Sequence, residues 1–307
     1  MKYSEAITKA VEENLGKGNL YLFGQDIRLW GGQGGVFKGL FEKFPNYIFD
    51  TPISEAATSG IATGMAMSGK HALVEYAFLD FILHSADNIV NNASKIAYLS
   101  NGKFNVPLTY YATINSERGY GATHSQPLEY MFTKVPGLTV VYPSNSTDAY
   151  SLLTESIERK SPTLFLNHKL LHENTVEYDN VPTTKSRLVR EGDQLTIVSY
   201  GRGTTVVLEA VKEIDNIEII DLRYLNPLDW GTIKKSVSKT NSLLVVDEGY
   251  GSTASDIVST LVEEYPNVRY HKLTSTLTSR AVAQEVESSV SLSKEVIIEK
   301  VLSILKQ

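Results

Sequence analysis

Apolar, β-branched runs alternate with segments of helical period along most of this chain, and this alternation limits the fold more than any other feature. The short runs have the length of buried strands, and the segments between them repeat their apolar residues at the spacing of a helix. Repeated β-α-β units of this kind form parallel sheets whose faces are covered by helices. The pattern therefore predicts an α/β fold built from two doubly wound domains with mainly parallel sheets.

The predicted elements form two groups, one on each side of a polar segment. In the first group we expect strands at 20–23, 47–50, 72–76, 106–112, 138–142 and 163–166, and helices at 54–68, 86–99 and 147–159. In the second group we expect strands at 195–200, 217–222, 243–247 and 268–272, and helices at 205–214, 232–239, 252–264 and 294–305.

The polar segment between the groups has no sustained period and includes Asp179-Asn180-Val181-Pro182, which is typical of a linker. The length of 307 residues also fits two domains, since one domain usually takes about 100 to 200 residues. We therefore predict a first domain at 1–175, a linker at 176–193 and a second domain at 194–307.

The composition excludes several kinds of function. A net charge of −6 without a Lys/Arg cluster lacks the basic surface that nucleic acids require. The chain has no cysteine, so disulfides, thiolate metal sites and a cysteine nucleophile are excluded, and we predict no metal site in this chain. Its N-terminus has no apolar segment, and no stretch approaches the roughly 18 apolar residues of a membrane span. We expect a cytoplasmic protein that binds neither nucleic acid nor membranes.

Small residues recur along one face of the predicted helix at 54–68. They are Ala56, Gly60, Gly64 and Ser68, so another backbone can approach that face closely. Glycine costs a helix about 0.8 to 1 kcal/mol relative to alanine, which indicates a packing purpose. The contact lies either within one domain or between subunits.

Candidate site residues follow three of the predicted strands. Glu55 opens a helix after one strand, Phe78 and Phe81 leave the next, and His124 lies on a glycine-flanked loop after the third. Ligands bind at the carboxyl ends of parallel strands, and loops on rigid sheets carry function. Each residue also has a structural interpretation: an acid that favours a helix dipole, aromatic core packing and a structural histidine.

Two glycine-rich segments resemble cofactor motifs. Gly249-Tyr-Gly251-Ser-Thr-Ala254 lies between a predicted strand and a helix, as in a dinucleotide fingerprint, but the acidic residue expected about 20 positions later is missing. Gly31-Gly-Gln-Gly-Gly35 lacks the Gly-Lys-Ser/Thr ending of a P-loop. We interpret the first as a tight turn and the second as a mobile loop.

Four motifs together resemble the β chain of the thiamine-diphosphate-dependent decarboxylating component of 2-oxo acid dehydrogenase complexes. They are Thr-Pro-Ile-Ser-Glu at 51–55, His-Ser-Gln at 124–126, Val-Tyr-Pro-Ser-Asn-Ser at 141–146 and Leu-Asn-Pro-Leu-Asp at 225–229. The resemblance extends over about residues 1–265. It implies a transketolase-like pyrimidine-binding domain followed by a transketolase C-terminal domain.

The resemblance also implies roles for individual residues. Glu55 corresponds to the carboxyl group that meets a ring nitrogen of the cofactor's aminopyrimidine, where it acts as a proton donor. Phe81 corresponds to the aromatic residue that stacks on the pyrimidine, and Phe78 is a further cofactor contact. His124 corresponds to the histidine that stabilises or protonates substrate oxygens, and Gln126 is a further candidate substrate contact.

The Gly-Asp-Gly motif that binds the diphosphate and Mg²⁺ in this family does not occur in the 307 residues. The resemblance therefore implies a separate α subunit that holds the diphosphate and Mg²⁺, with two α and two β chains in the assembly. The small-residue face at Ala56 and Gly60 then favours the subunit-contact interpretation.

The sequence departs from the family at three places. Residues 273–285 replace an acidic, proline-rich run near the site entrance, which affects the acyl acceptor, a lipoyl group or another carrier. Ser116-Glu117-Arg118 replaces a small, glycine-rich run, so Arg118 is a candidate contact for a substrate carboxylate or phosphate. Arg159 stands where an acid would accompany a monovalent cation in the family, so the sequence gives no support for such an ion and leaves its binding open.

Two other functions stay open. Thr123-His124-Ser-Gln-Pro127-Leu-Glu129 also resembles transketolase, which would make the chain one subunit of a split enzyme that transfers a two-carbon ketol unit. Alternatively, Gly249 to Ala254 could bind a nucleotide in a non-catalytic subunit.

Overall fold

A computed structural model describes residues 1–306 of the chain. The chain divides into two compact units, of which the first contains residues 1–115 and 131–181 and the second contains residues 116–130 and 182–307. Within the described residues, no helix is both long and apolar enough to cross a membrane.

The first unit alternates strands and helices, as the sequence predicts. Its α-helices are α1 (Tyr3–Gly16), α2 (Ile27–Trp30), α3 (Leu40–Lys43), α4 (Glu55–Met67), α5 (Ile96–Leu99) and α6 (Ser146–Glu158). Its strands are β1 (Leu20–Gly24), β2 (Ile48–Asp50), β3 (His71–Tyr76), β4 (Leu108–Ile114), β5 (Thr139–Val141) and β6 (Thr163–His168). Shorter helical turns lie at Leu79–Ser85 and Lys169–Leu171, and a π-helix at Asn88–Ala93.

The strands of the first unit lie in the order β5-β6-β4-β3-β1-β2 and pair in parallel. Every residue of β4 is buried, which fits a central strand covered on both faces. The register joins Gly24 to Asp50 and Tyr76 to Ala112. The carboxyl ends of β1, β2, β3 and β4 therefore meet at one edge of the sheet, where the predicted site residues of this unit follow.

The second unit is a smaller α/β layer. Its strands are β7 (Ser186–Arg190), β8 (Leu195–Ser199), β9 (Ile217–Leu222), β10 (Tyr224–Asn226), β11 (Ser242–Asp247) and β12 (Arg269–Thr274). Its helices are α7 (Gly201–Ala210), α8 (Trp230–Thr240), α9 (Ser252–Glu264), α10 (Gln284–Ser289) and α11 (Lys294–Leu305). The sheet order is β12-β11-β8-β9-β7, with β7 antiparallel and the other pairs parallel.

The predicted α/β class with two mainly parallel sheets is confirmed, and some elements differ. Helix α1 was not predicted, although its buried Ala6, Ile7, Ala10 and Val11 have helical spacing. The single helix expected at 86–99 is a π-helix followed by the short α5, and strand β7 lies inside the segment predicted as a linker. The domain bounds remain a prediction, and residues 116–130 belong to the second compact unit.

Candidate active site

Glu55 is the first residue of α4, directly after the turn that leaves β2. The backbone N–H of Thr51 donates to the carbonyl oxygen of Gly24 at 2.9 Å, which fixes the start of that turn at the end of β1. Glu55 is half-buried, and its Oε1 accepts a long hydrogen bond of 3.4 Å from Nε2 of Gln25. The carboxyl group is therefore positioned by the fold but weakly engaged by it, so it is available to a ligand.

Phe78 and Phe81 form an aromatic corner after β3. Their ring centroids lie 5.6 Å apart with an interplanar angle of 68°. Edge-to-face packing of this kind fixes the orientation of both rings. Both side chains are half-buried, so one part of each ring packs on the protein while another part is accessible. Such a corner suits a flat heteroaromatic ring.

Four buried hydroxyl groups lie in the same part of the unit: Ser59, Tyr76, Ser85 and Tyr110. Burial raises the pKa of Tyr76 well above its usual range, and the charge on Glu55 acts in the same direction. The hydroxyl groups of Ser85 and Ser59 oppose that rise. This polar set was not predicted, because serine and tyrosine in a helix or strand have no sequence pattern that separates them from ordinary packing residues.

Glu75, near the end of β3, anchors the glycine-rich loop at 31–35. Its Oε1 accepts the backbone N–H of Gln33 at 2.7 Å, and a Cβ on Gly32 would lie 2.5 Å from the same oxygen. Burial raises the pKa of Glu75 to about 8, although the Gln33 hydrogen bond opposes the shift. The loop was predicted to be mobile, whereas the structure ties it to a buried carboxyl group.

The segment that carries His124 is fastened within the second unit at its start. The guanidinium group of Arg202 donates to both carboxylate oxygens of Glu117, at 2.7 and 2.8 Å. The backbone N–H groups of Glu117 and Gly119 donate to the carboxylate of Glu287 at 2.8 and 2.7 Å. Gly119 has a φ of +71°, and a Cβ there would lie 2.8 Å from the carbonyl oxygen of Val282, so only glycine fits.

These contacts join two segments that depart from the family pattern. Glu117 lies in the first departing segment and Val282 in the second, and Glu287 follows shortly after it. Both segments stand out in the sequence, but their proximity was not predictable, because the two contacts with Glu287 span 170 and 168 residues.

His124, Arg118 and Gln126 also lie in the second unit. His124 is half-buried, and the Thr123 hydroxyl lies 2.8 Å from its Nδ1. When Thr123 donates to Nδ1, the neutral ring carries its hydrogen on Nε2. Arg118 is exposed, with its guanidinium carbon 6.0 Å from the Tyr120 ring centroid, and Gln126 is half-buried.

The turn that resembles a dinucleotide fingerprint is already occupied by a side chain. Asp247 ends β11, its Oδ1 accepts the N–H of Gly249 at 2.9 Å and its Oδ2 accepts the N–H of Ala254 at 3.0 Å. A Cβ on Gly249 would lie 2.4 Å from Oε1 of Glu129. The backbone donors that could bind a diphosphate are thus satisfied by a carboxylate, and a second acidic side chain lies beside them. This arrangement argues against nucleotide binding at the turn.

The predicted site residues are divided between the units. Glu55, Phe78 and Phe81 follow β2 and β3 at the carboxyl edge of the first sheet, as the sequence predicts. Arg118, His124 and Gln126 lie on the segment 116–130 of the second unit.

Comparison with known proteins identifies the same two domains. The transketolase pyrimidine-binding domain family matches residues 1–174, and the transketolase C-terminal domain family matches residues 184–297. Pyruvate dehydrogenase E1 component subunit beta from Cyanidium caldarium is 37% identical over 85% of this chain and 83% of its own length. The mitochondrial subunit beta-1 from Arabidopsis thaliana is 32% identical over 86% of this chain and 77% of its own length.

Two further proteins are similar. The acetoin:2,6-dichlorophenolindophenol oxidoreductase subunit beta from Cupriavidus necator is 36% identical over 79% of this chain and 78% of its own length. A solved split-gene transketolase, described as an inactive β4 tetramer, has a TM-score of 0.78 and 20% identity, and the match covers 98% of this chain and 97% of that one.

Fold and matches together define a protein built from a transketolase pyrimidine-binding domain and a transketolase C-terminal domain. Within that class, the chain belongs to the family of E1 component β subunits of 2-oxo acid dehydrogenases, and the resemblance inferred from its motifs is confirmed.

Proposed function

We propose that this chain is the β subunit of a thiamine-diphosphate-dependent enzyme that decarboxylates a 2-oxo acid and transfers the acyl group to a lipoyl or other carrier. The observation that carries the proposal is the position of Glu55. It is a half-buried carboxyl group at the start of a helix, at the carboxyl edge of a parallel sheet, in a chain that belongs to the E1 β family.

The residues of the first unit fit the pyrimidine half of thiamine diphosphate. Glu55 offers a weakly engaged carboxyl group to a ring nitrogen, and Phe78 and Phe81 offer an aromatic corner to a flat ring. When bound, the cofactor supplies the carbon nucleophile and the electron sink for decarboxylation. In this proposal Glu55 holds a proton at the pyrimidine nitrogen, and His124 moves a proton at a substrate oxygen.

A separate α subunit completes the proposed enzyme. No Gly-Asp-Gly motif occurs in the 307 residues, which supports the placement of the diphosphate and Mg²⁺ on that partner. At Gly60 a Cβ would lie 3.7 Å from Oδ1 of Asn88, but Gly64 is exposed and no atom lies within 4 Å of a Cβ built on it, so this end of the small-residue face supports a subunit contact. We further propose an assembly of two α and two β chains, with Arg118 and Gln126 as substrate contacts.

Activity of the purified complex with the α partner tests the proposal. Pyruvate or another 2-oxo acid should reduce dichlorophenolindophenol, and Glu55→Gln should lower turnover by about 10² to 10⁴-fold, the usual contribution of a positioned proton-transfer group. The exposed Glu42 in the same unit provides the matched control, Glu42→Gln, which should keep wild-type turnover.

Near-normal turnover of the Glu55→Gln complex would exclude the cofactor role of this residue. Ketose phosphates serve as the alternative donors in the same assay series. Turnover with a ketose phosphate and an aldose acceptor, but with no 2-oxo acid, would replace the decarboxylase by a ketol-transferring enzyme.

A further inference from the structure

Glu129 lies five positions after His124 and is almost fully buried, with 1% of its surface exposed. Its Oε1 is 3.2 Å from the hydroxyl oxygen of Tyr200, which follows β8. The same hydroxyl group lies 2.6 Å from Oδ1 of Asp247. A carboxyl group, a phenol and a second carboxyl group thus form a buried chain inside the second unit.

The number of hydrogens that the side chains of Glu129, Tyr200 and Asp247 carry determines which group donates in each contact. Tyr200 has one hydroxyl hydrogen, and the shorter contact directs it to Asp247. Burial raises the pKa of Asp247, but its two oxygens accept the N–H groups of Gly249 and Ala254, and these hydrogen bonds oppose the rise and favour the ionised form. The contact between Glu129 and Tyr200 then needs a second hydrogen, which Glu129 itself must carry.

The groups that face Glu129 favour the same assignment. Burial raises the pKa of Glu129 to about 8, and the negative charges of Asp247 and Glu248 add to the shift. A hydrogen bond donated by Tyr200 to Glu129 would oppose this rise, but the shorter contact directs the single Tyr200 hydrogen to Asp247; Tyr250 also lies within the electrostatic range of Glu129. Oε2 of Glu129 has no hydrogen-bond partner among the described residues, and a charged oxygen in that position would be costly.

We propose that Glu129 is a positioning residue for His124: its neutral carboxyl group donates to Tyr200, and the resulting chain to Asp247 anchors the far end of the His124 segment. The near end is anchored by the contacts of Glu117 with Arg202 and Glu287. Loss of the Glu129 proton places two carboxylates on one phenol oxygen and releases the far end. The consequence for turnover rests on the proposed function, whereas the anchoring does not.

Tyr200 and Glu117 respond to pH differently from Glu129, so the effect of Glu129 ionisation can be measured separately from theirs. Burial and the nearby acids raise the pKa of Tyr200 well above its usual range, so this phenol stays neutral when Glu129 ionises. Burial raises the pKa of Glu117 to about 7, against the opposing charge of Arg202. Ionisation of Glu117 completes its ion pair with Arg202, so it strengthens the near anchor as the pH rises.

Hydrogen exchange of the full chain tests the anchor without any assay of activity. Peptides that cover residues 120–128 should lose at least about tenfold in protection between pH 7 and pH 9 after correction for intrinsic exchange. Glu129→Gln keeps a donor that cannot ionise, so its protection should not fall between pH 7 and pH 9. Tyr200→Phe removes the bridge and should lower protection at both. Glu285→Gln, an exposed change in the same unit, is the control and should follow the wild type.

Activity with the α partner tests the positioning of His124. In Glu129→Gln the alkaline fall in kcat should move by one pH unit or more, while KM changes less than twofold. The proposal is overturned if the wild-type segment keeps its protection at pH 9, or if Glu129→Gln loses protection as the wild type does. If the alkaline fall in kcat is unchanged in Glu129→Gln while its hydrogen exchange is as predicted, Glu129 does not position His124. That result leaves the decarboxylase proposal intact.

Discussion

Two strand-to-helix junctions of this protein place a carboxyl group at the start of a helix, and they use it in opposite ways. At the junction of β11 and α9, Asp247 accepts two backbone N–H groups and the Tyr200 hydroxyl, and 1% of it is exposed. At the junction of β2 and α4, Glu55 is half-buried and accepts one long hydrogen bond from Gln25. The positive end of a helix favours an acid in both places. The Asp247 carboxylate is fully engaged by hydrogen bonds within the protein, whereas the Glu55 carboxyl group is only weakly engaged.

The largest expected effect is a difference in stability between the two junctions. Asp247→Ala leaves the buried N–H groups of Gly249 and Ala254 without their acceptor and removes the shorter Tyr200 contact, and each unsatisfied buried donor costs about 1 to 3 kcal/mol. We expect a loss of about 3 to 5 kcal/mol in the free energy of unfolding, whereas Glu55→Ala should change it by less than about 1 kcal/mol. Urea unfolding of the full chain measures both, with Glu263→Gln as an exposed control. Equal losses for the two alanine variants would contradict the comparison.

A second expected effect is the pH dependence of stability near the closed junction. The pKa of Glu129 rises from 4.5 to about 8 on folding, so the folded chain binds more protons than the unfolded chain between these values. The contribution of Glu129 to stability is therefore fully present below the lower value and is lost as the pH rises to about 8, by about 1.4 kcal/mol for each pH unit at most.

Urea midpoints at pH 6 and pH 8 measure this slope, and Glu129→Gln should reduce it. Glu75, whose pKa is also raised to about 8, contributes a similar slope in the first unit, so Glu75→Gln is the matched comparison. Each variant should keep the slope that the other carboxyl group contributes, so a slope that is undiminished in either variant would show that the carboxyl group replaced there is not protonated by folding.

The smallest expected effect is a difference in stability between two glycine substitutions, one near each junction. Gly64 is exposed in α4 with open space around it, so Gly64→Ala should stabilise the isolated chain by about 0.5 to 1 kcal/mol. The added methyl group should at the same time weaken assembly with a subunit that packs on this face. Gly249→Ala should destabilise the chain, because the new Cβ would lie 2.4 Å from Glu129. Thermal unfolding measures the two changes in stability, and analytical ultracentrifugation measures the change in assembly.

Local pattern was enough for most of the fold and for part of the site. The alternation of strands and helices predicted both sheets, and Glu55, Phe78 and Phe81 follow parallel strands as expected. The π-helix at Asn88–Ala93 was not predictable, because its apolar residues still repeat at a helical spacing. Strand β7 was missed because it is a half-exposed edge strand with two arginines.

The chain of Glu129, Tyr200 and Asp247 could not be predicted for a different reason. Its members come from three separate parts of the sequence, and the Glu129–Tyr200 contact spans 71 residues. A buried carboxyl group has no signature in a sequence, since the same residue type is usually solvated. The turn at Gly249 to Ala254 was predicted as a tight strand-to-helix turn, and its geometry bears out that interpretation, but the acid that fills it became visible only in three dimensions.

The contacts from the His124 segment to Glu287 also set an order of events in a nascent chain. The two partners are separated by 170 and 168 residues. At about 5 to 20 residues per second, the histidine segment leaves the ribosome roughly ten to thirty seconds before the carboxylate that holds its backbone. Throughout that interval the segment lacks its near anchor. The near anchor of the His124 segment is therefore completed late in synthesis, after the sheet of the first unit has left the ribosome.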